Sequence, residues 1–432
     1  MPDITAGGPH SFAYLFERFP SFVQTFVYRE AVEMVRQGMN PWMISLRQPE
    51  DPPEVAEKLD VPVFYPPEEK ALRAEVDARR AQHQLPGRAH RAIPRHRKAP
   101  DAQRMFEAIW LGPLLQERNI RHVHAHFGGV AARTAWWLRK LYGISYSFTG
   151  HANDIFCEGD FPVSNADLVR GATFVATETD HARRWMEEKY PWARGKVFRV
   201  FNGVAVDGFL PRQAATDLPR ILSVGRYVEK KGFSDLIEAC RLLRARRVDF
   251  ICDIVGGGPL ETELERQIIE SDLEGHVGLL GPRSQAEVRR LLAAAQVFVL
   301  ACVPEKDGGS DNLPTVVMEA MFARAPVICT PVAGVPEMIE PGVEGILVAP
   351  GDPPALAQAI GEMLSDRVVA ERLSQKARAA AEAKFAVDRT TSVLKHLLVE
   401  RAGVVAPPAA RALDPTLAPA GFLGKIRRFF DK

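Results

Sequence analysis

The sequence predicts an α/β protein built from two doubly wound, Rossmann-like domains facing across a cleft. Short apolar runs recur along the chain, each followed by a turn and a segment of helical periodicity, and strands alternating with helices argue for parallel sheets covered on both faces. The series runs twice, on either side of a loop around Leu210–Pro219. The 432 residues also exceed a single domain of about 100–200 residues.

Phe12–Phe16 reads as the first strand, followed by a loop of Phe, Pro and Ser and a helical pattern from about Phe22 to Gln37, which Gly38 closes. Trp42–Leu46 resumes as a strand, and the alternation returns at His122–His126, Ile144–Phe148, Thr173–Thr177 and Val197–Phe201. Between them, residues 73–104 change texture, with nine Lys or Arg against Glu75, Asp77 and Asp101. This basic insertion reads as a solvated helical segment, or as a contact surface for anionic lipid or a phosphorylated acceptor.

The second series has strands at Arg220–Val224, Phe250–Val255, Val277–Leu280, Val297–Ala301, Pro326–Thr330 and Gly345–Val348. The expected organisation is a first domain over 1–210, a second over 211–384, a helix over 385–402 returning to the first domain, and a tail over 403–432. The tail divides into an Ala/Pro linker to Ala420 and a short basic, apolar end that reads as an interfacial helix or a packing or disordered segment.

Composition narrows the classes of function. With 46% hydrophobic, 25% charged and 8% aromatic residues the chain is globular, neither disordered nor fibrous. Lys and Arg number 55 against 54 Asp and Glu, so no overall field attracts nucleic acid. Five cysteines without a CxxC pair read as reduced, buried thiols. The longest nearly apolar run, Leu291–Val303, is too short for the roughly 20 residues of a membrane span, and the N-terminus lacks a secretory pattern. The expected location is cytoplasmic, with a peripheral contact at the inner face of the plasma membrane left open.

In open α/β sheets ligands sit beyond the carboxyl ends of strands, so chemistry is sought in the loops that follow them. After Val224 come Gly225-Arg226 and Lys231-Gly232, two cations beside glycines that let a backbone approach closely. Arg226 can fork onto diphosphate oxygens and Lys231 supplies a point charge; the bland alternative is a solvated strand–helix loop. After the strand at Val297–Ala301 come Asp311, Asn312, Leu313 and Pro314. Pro314 suits the first position of a helix whose N–H groups at Thr315 and Val316 would attract phosphate. Glu319, a turn further on, can accept from ribose hydroxyls. The alternative is that Asp311 and Asn312 shape a turn and Glu319 offsets the helix dipole.

Taken in order, Gly225-Arg226 with Lys231-Gly232, Gly256-Gly257-Gly258-Pro259-Leu260, Asn312 through Glu319, Pro326 through Glu337, and Gly345 through Asp352 resemble the retaining family-4 glycosyltransferases of GT-B fold. Phe19 through Phe26 resembles the acceptor-side loop of the colanic-acid and exopolysaccharide type, and Phe148-Thr-Gly-His151 through Phe156 their active-site histidine loop. The resemblance implies transfer of a sugar from a nucleotide diphosphate sugar, with retention and without cofactor or metal, onto a saccharide or lipid-linked saccharide in polysaccharide biosynthesis. It implies that His151 and Asp311 are catalytic. It assigns substrate binding to Arg226, Lys231, Glu319, Thr315, Val316, Asn312, Leu313, Gln24, Thr25 and His126.

Two positions depart from the family pattern. Asp311 stands where Glu opens the usual E-x7-E motif, with Glu305 or Asp307 as helpers, and Gln24 stands where the acceptor loop usually carries Glu. His122, His124 and His126 share one face of a strand and suggest zinc, but no carboxylate or thiol nearby in sequence completes a tetrahedral set. His126, at the strand's end, is the one expected to face the cleft. No Asp-x-Asp pair occurs, so the leaving diphosphate is expected to be neutralised by protein cations and helix amides. A sugar-nucleotide epimerase or phosphorylase, and a non-catalytic sugar-nucleotide-binding subunit, are the competing readings.

Overall fold

A computed structural model describes residues 10–21, 24–49, 62–156, 161–213, 218–304 and 311–405. The start of the first predicted helix at Phe22, Cys157, Glu305, Asp307 and the tail beyond 405 lie outside these residues. The chain divides into two compact units, one spanning 1–203 and continuing from 390, the other spanning 204–389.

The first unit runs β1 (Phe12–Arg18), α1 (Thr25–Arg36), β2 (Pro41–Arg47), β3 (Val63–Phe64), α2 (Glu69–Ala81), α3 (Gly87–His96), α4 (Ala102–Glu117), β4 (His122–His126), α5 (Val130–Tyr142), β5 (Ser145–Gly150), α6 (Ala152–Phe156), α7 (Asn165–Gly171), β6 (Val175–Thr177), α8 (Asp180–Lys189) and β7 (Val197–Arg199). Its strands pair in parallel in the order β3-β2-β1-β4-β5-β6-β7. A strand alternates its side chains, and β1 shows why its sequence is apolar from Phe12 to Phe16. Ala13 and Leu15 enter the core containing Val76, Ile93, Phe106, Ile109 and Leu138. Phe12, Tyr14 and Phe16 enter a second core with Val27 and Met34 of α1.

The second unit runs β8 (Arg220–Val224), α9 (Phe233–Ala245), β9 (Ile251–Val255), α10 (Glu261–Glu270), β10 (Val277–Gly281), α11 (Gln285–Ala294), β11 (Val297–Leu300), α12 (Thr315–Phe322), β12 (Val327–Cys329), α13 (Val335–Met338), β13 (Ile346–Leu347), α14 (Pro353–Ser365) and α15 (Arg367–Lys384). Its parallel order is β10-β9-β8-β11-β12-β13. One core joins Ile221, Cys252, Ile254, Val297 and Val299 to Leu236, Ile237 and Cys240 of α9 and Leu356 and Ile360 of α14. The last helix, α16 (Val387–Ala402), places Leu394, Leu397 and Leu398 in the core of Phe12 and Tyr14. Lys395 Nζ there donates to the carbonyl of Gln37 at 2.6 Å.

The structure adds one strand to the sequence reading and corrects two expectations. The two-residue β3 carries no periodic signal and owes its place to pairing with β2. Pro314 is the cap residue and α12 begins one position later, at Thr315. The basic stretch is more than a solvated insertion: Val76, Leu85, Ala89 and Ile93 line the first core. Much of its charge is paired, as in Arg97 with Asp77 at 2.7 Å and Arg104 with Glu107 at 3.1 Å. The Arg73 and Arg97 guanidiniums lie 5.0 and 5.7 Å from the Phe106 ring centre.

Candidate active-site regions

Strand order reverses between β8 and β11 in the second unit and between β1 and β4 in the first. Diverging loops leave a crevice at such switch points, and the flagged residues collect there.

In the second unit, close backbone approach sets the loop geometry. Gly232 has φ +65°, and a Cβ on it would stand 1.7 Å from the Ala301 carbonyl oxygen. A Cβ on Gly256 would stand 1.8 Å from the Gly225 carbonyl oxygen. These glycines let the loops after β8, β9 and β11 lie against one another. Tyr227, buried below, donates its hydroxyl to the Ile254 carbonyl at 3.0 Å. Lys231 passes its stem over Gly225, where a Cβ would meet Lys231 Cδ and Cε at 3.2 Å.

Lys231 Nζ donates to Asp311 Oδ2, joining residues 80 positions apart in sequence. Burial pulls the Lys231 ammonium down, but the Asp311 carboxylate outweighs it and the pKa is raised. Burial pushes Asp311 up, and Lys231 reverses this to hold it below its ordinary value. Cys302 Sγ lies 3.7 Å from the same Oδ2. Burial, with Asp311 beside it, pushes the Cys302 thiol up to about 12, so it stays protonated. Arg226 is exposed, and its charge bears on Lys231. Asn312 and Leu313 are buried, and the Asn312 carbonyl accepts from the Gly334 N–H at 3.0 Å. Thr315, Val316 and Glu319 are half-buried on the first turns of α12.

In the first unit the three strand histidines have different partners. His122 bonds the Ser145 and Ser147 hydroxyls at 2.9 and 2.8 Å. His124 bonds those of Ser147 and Thr149 at 2.7 and 3.0 Å. Burial pushes His122 down to about 3 and His124 well below its ordinary value, so both are neutral. His126 Nε2 is 2.9 Å from Glu30 Oε1, which also accepts from the Tyr14 hydroxyl. Among the described residues no group of three His, Cys, Asp or Glu could hold a metal ion.

His151 follows β5, and its Nδ1 lies 2.8 Å from Glu178 Oε1. Asn202 Nδ2 donates to that same oxygen. Asp154 Oδ2 accepts from the backbone N–H groups of Gly128 at 3.0 Å and His151 at 3.2 Å, tying the two loops together. Buried Arg133 donates to the carbonyls of Gly128, Gly129 at 3.2 Å and Val163 at 3.0 Å. Its burial lowers its pKa to about 10, so it remains a cation. The His126 and His151 ring centres are 5.9 Å apart. Gln24 caps α1 and Thr25 begins it, and the next residue, Phe26, brings its ring to 5.1 Å from His151.

Sequence reading gave no site role to Tyr14, Glu30, Arg133, Glu178, Asn202 or Cys302, and took Asp154 only as part of the histidine loop. Glu178 alone carried a usable signal, a charged residue between two threonines directly after an apolar strand.

Residues 211–380 match the family described as Glycosyl transferases group 1. This segment belongs to the group 1 glycosyl transferases. The group 1 domain thus holds Arg226, Lys231, Asp311 and α12. The chain is 39% identical over 166 residues to the amylovoran biosynthesis glycosyltransferase AmsK of Erwinia amylovora, covering 38% of this chain and 41% of that one. With WcaL of Escherichia coli (strain K12), named for colanic acid biosynthesis, it shares 34% identity over 255 residues, covering 54% and 59%. The matches thus span 41% and 59% of these relatives' lengths. A glycosyltransferase structure from Rickettsia africae ESF-5 superposes with TM-score 0.69 at 17% identity, covering 91% of this chain and 99% of that one. HepE of Anabaena, solved with UDP and glucose, gives 0.65 at 17% identity, covering 90% and 100%. The fold is GT-B, that of these glycosyltransferases around the group 1 domain.

Proposed function

We propose that the protein is a retaining glycosyltransferase of polysaccharide biosynthesis, moving a sugar from a nucleoside diphosphate sugar to a saccharide or lipid-linked saccharide. The observation that carries this is the cation pair Arg226 and Lys231, set on glycine-flanked loops at the switch point of the group 1 domain. The relatives named for amylovoran and colanic acid biosynthesis support the polysaccharide setting, and a GT-B neighbour solved with UDP supports the donor class.

In this reading the diphosphate lies against Arg226, Lys231 and the first amides of α12, with Glu319 on the ribose. Asp311 fixes Lys231 and, with His151, orients the sugar, while Gln24, Thr25 and His126 serve the acceptor. The bond from the anomeric carbon to the phosphate oxygen breaks as the acceptor oxygen attacks from the same face. The acceptor's proton passes to that departing phosphate oxygen, so neither a covalent intermediate nor a separate base is needed. The protein's own fixed charges receive the leaving group, with no metal or cofactor required. A lipid-linked acceptor would bring the basic stretch to an anionic membrane surface, which flotation with anionic vesicles would test.

Arg226→Ala with Lys231→Ala should abolish transfer, since one preorganised donor to a developing anion contributes on the order of 10²–10³ in rate. Full activity in the double variant would reject the assignment. Turnover of a nucleotide sugar to its epimer without acceptor would instead identify an epimerase.

A further inference from the structure

We propose that Glu178, anchored by Asn202, is the positioning residue of His151: its carboxylate accepts the Nδ1–H, fixes the ring and stabilises the imidazolium, so that the ring offers Nε2–H to substrate. The inference rests on the role for His151 proposed above.

Four observations carry it. His151 Nδ1 and Glu178 Oε1 are 2.8 Å apart, and only 8% and 7% of their side-chain surfaces are exposed. A carboxylate this deeply buried is costly unless it is hydrogen-bonded, and Asn202 supplies a second donor to the same oxygen. With Nδ1 bound to a carboxylate, the tautomer is fixed and chemistry falls to the other nitrogen. That nitrogen, Nε2, is buried and has no hydrogen-bond partner among the described residues.

Besides Glu178, the titratable groups around the ring lie on α6, α1, β4 and β1. Asp154 of α6 spends its Oδ2 on backbone N–H groups, those of His151 and Gly128. Glu30 of α1 is bonded to His126 of β4 and to Tyr14 of β1. Glu178 is therefore the carboxylate on the His151 ring itself. Burial pulls the imidazolium down, and Glu178, followed by Asp154 and Glu30, reverses this so that the pKa stands above 6.5. Proton uptake at His151 is thus favoured near neutrality, and a charged Nε2–H donor suits a centre where negative charge develops.

Glu178→Gln keeps the size and removes the charge. Transfer that needs the imidazolium falls as pH rises through the raised pKa of His151. In the variant this fall moves to lower pH, and kcat near neutrality drops roughly 10²-fold, while binding of the nucleoside diphosphate alone is unchanged. His151→Ala should lower kcat and abolish that limb, and adding Glu178→Gln to it should cost nothing more. A folded Glu178→Gln with the wild-type pH limb and kcat within about twofold would overturn the proposal while leaving the transferase reading intact.

Should that variant fail to fold, 15N chemical shifts of the His151 ring in the wild-type protein decide the matter without reference to activity. Titration above 6.5 from the Nδ1–H tautomer is expected. Titration below it, or a neutral Nε2–H tautomer, would overturn the proposal. A wild-type protein with no transfer from any donor would sink the functional reading, yet these shifts would still test the pair.

Discussion

The two switch points handle buried charge in opposite ways. In the first unit, carboxylates lie under imidazoles, Glu30 beneath His126 and Glu178 beneath His151, enclosed by the rings of Phe26 and Phe127. In the second, exposed Arg226 stands beside the Lys231–Asp311 pair on loops packed backbone to backbone. The difference follows from where the charges originate. A titratable ring can be buried neutral and charged on demand, whereas Lys and Arg are permanently charged near neutrality and need solvent or fixed acceptors, a carboxylate for Lys231 and backbone carbonyls for Arg133. The first region is suited to tuning a proton, the second to receiving an anion.

The sharpest break in this comparison is at the ion pair. Asp311→Ala leaves the Lys231 ammonium, whose side chain is 13% exposed, without its carboxylate. The expected cost is roughly 3–5 kcal/mol in urea unfolding. Adding Lys231→Met should recover most of it, and an equally unstable double variant would show that the pair is not coupled. Because Asp311 is held below its ordinary value, the pair's contribution is present above the unfolded carboxylate pKa of about 3.9. It is lost as pH falls through the lower folded value.

In the first unit, Arg133→Ala strips the donors from the Gly128 and Gly129 carbonyls that anchor the histidine loop. About 3 kcal/mol of destabilisation is expected, and His151 ring shifts should move with it. An unchanged spectrum would separate the loop from its arginine.

Gly232→Ala tests the backbone approach beneath the cations. With φ +65° and a Cβ position 1.7 Å from the Ala301 carbonyl oxygen, it should cost about 1–3 kcal/mol. Nucleoside diphosphate binding by calorimetry should weaken too.

The smallest effect concerns His122, neutral down to about pH 3 when folded. The unfolded chain takes up this proton near 6.5, so stability falls as pH drops below that value. Between pH 6.5 and 5.5, His122→Gln should lose about 1 kcal/mol less than the wild type. A His122 ring that titrates near 6.5 in the native protein would contradict this.

The sequence outlined β4 and β8 with their observed ends, because β4 packs as an uninterrupted run of buried residues and β8 has a buried centre. It flagged Lys231 and Asp311 singly, from glycines and a predicted helix start. Their union was hidden, since nothing in a linear pattern links positions 80 apart. Glu178 was passed over for the same reason: its partner His151 lies 27 residues away, one strand over in the sheet. The basic stretch misled because its charges outnumber its spaced apolar residues, although those residues determine how it packs.

Periodicity and glycine placement thus determined by themselves that this chain forms parallel α/β units, and that its chemistry lies in loops after strands. Those are local rules, set by how successive side chains alternate and by which backbones tolerate close approach. Which carboxylate meets which cation or imidazole was decided only by tertiary structure. Such pairing depends on distances between segments remote in the chain and on the burial around them, and burial is a property of the whole packed unit.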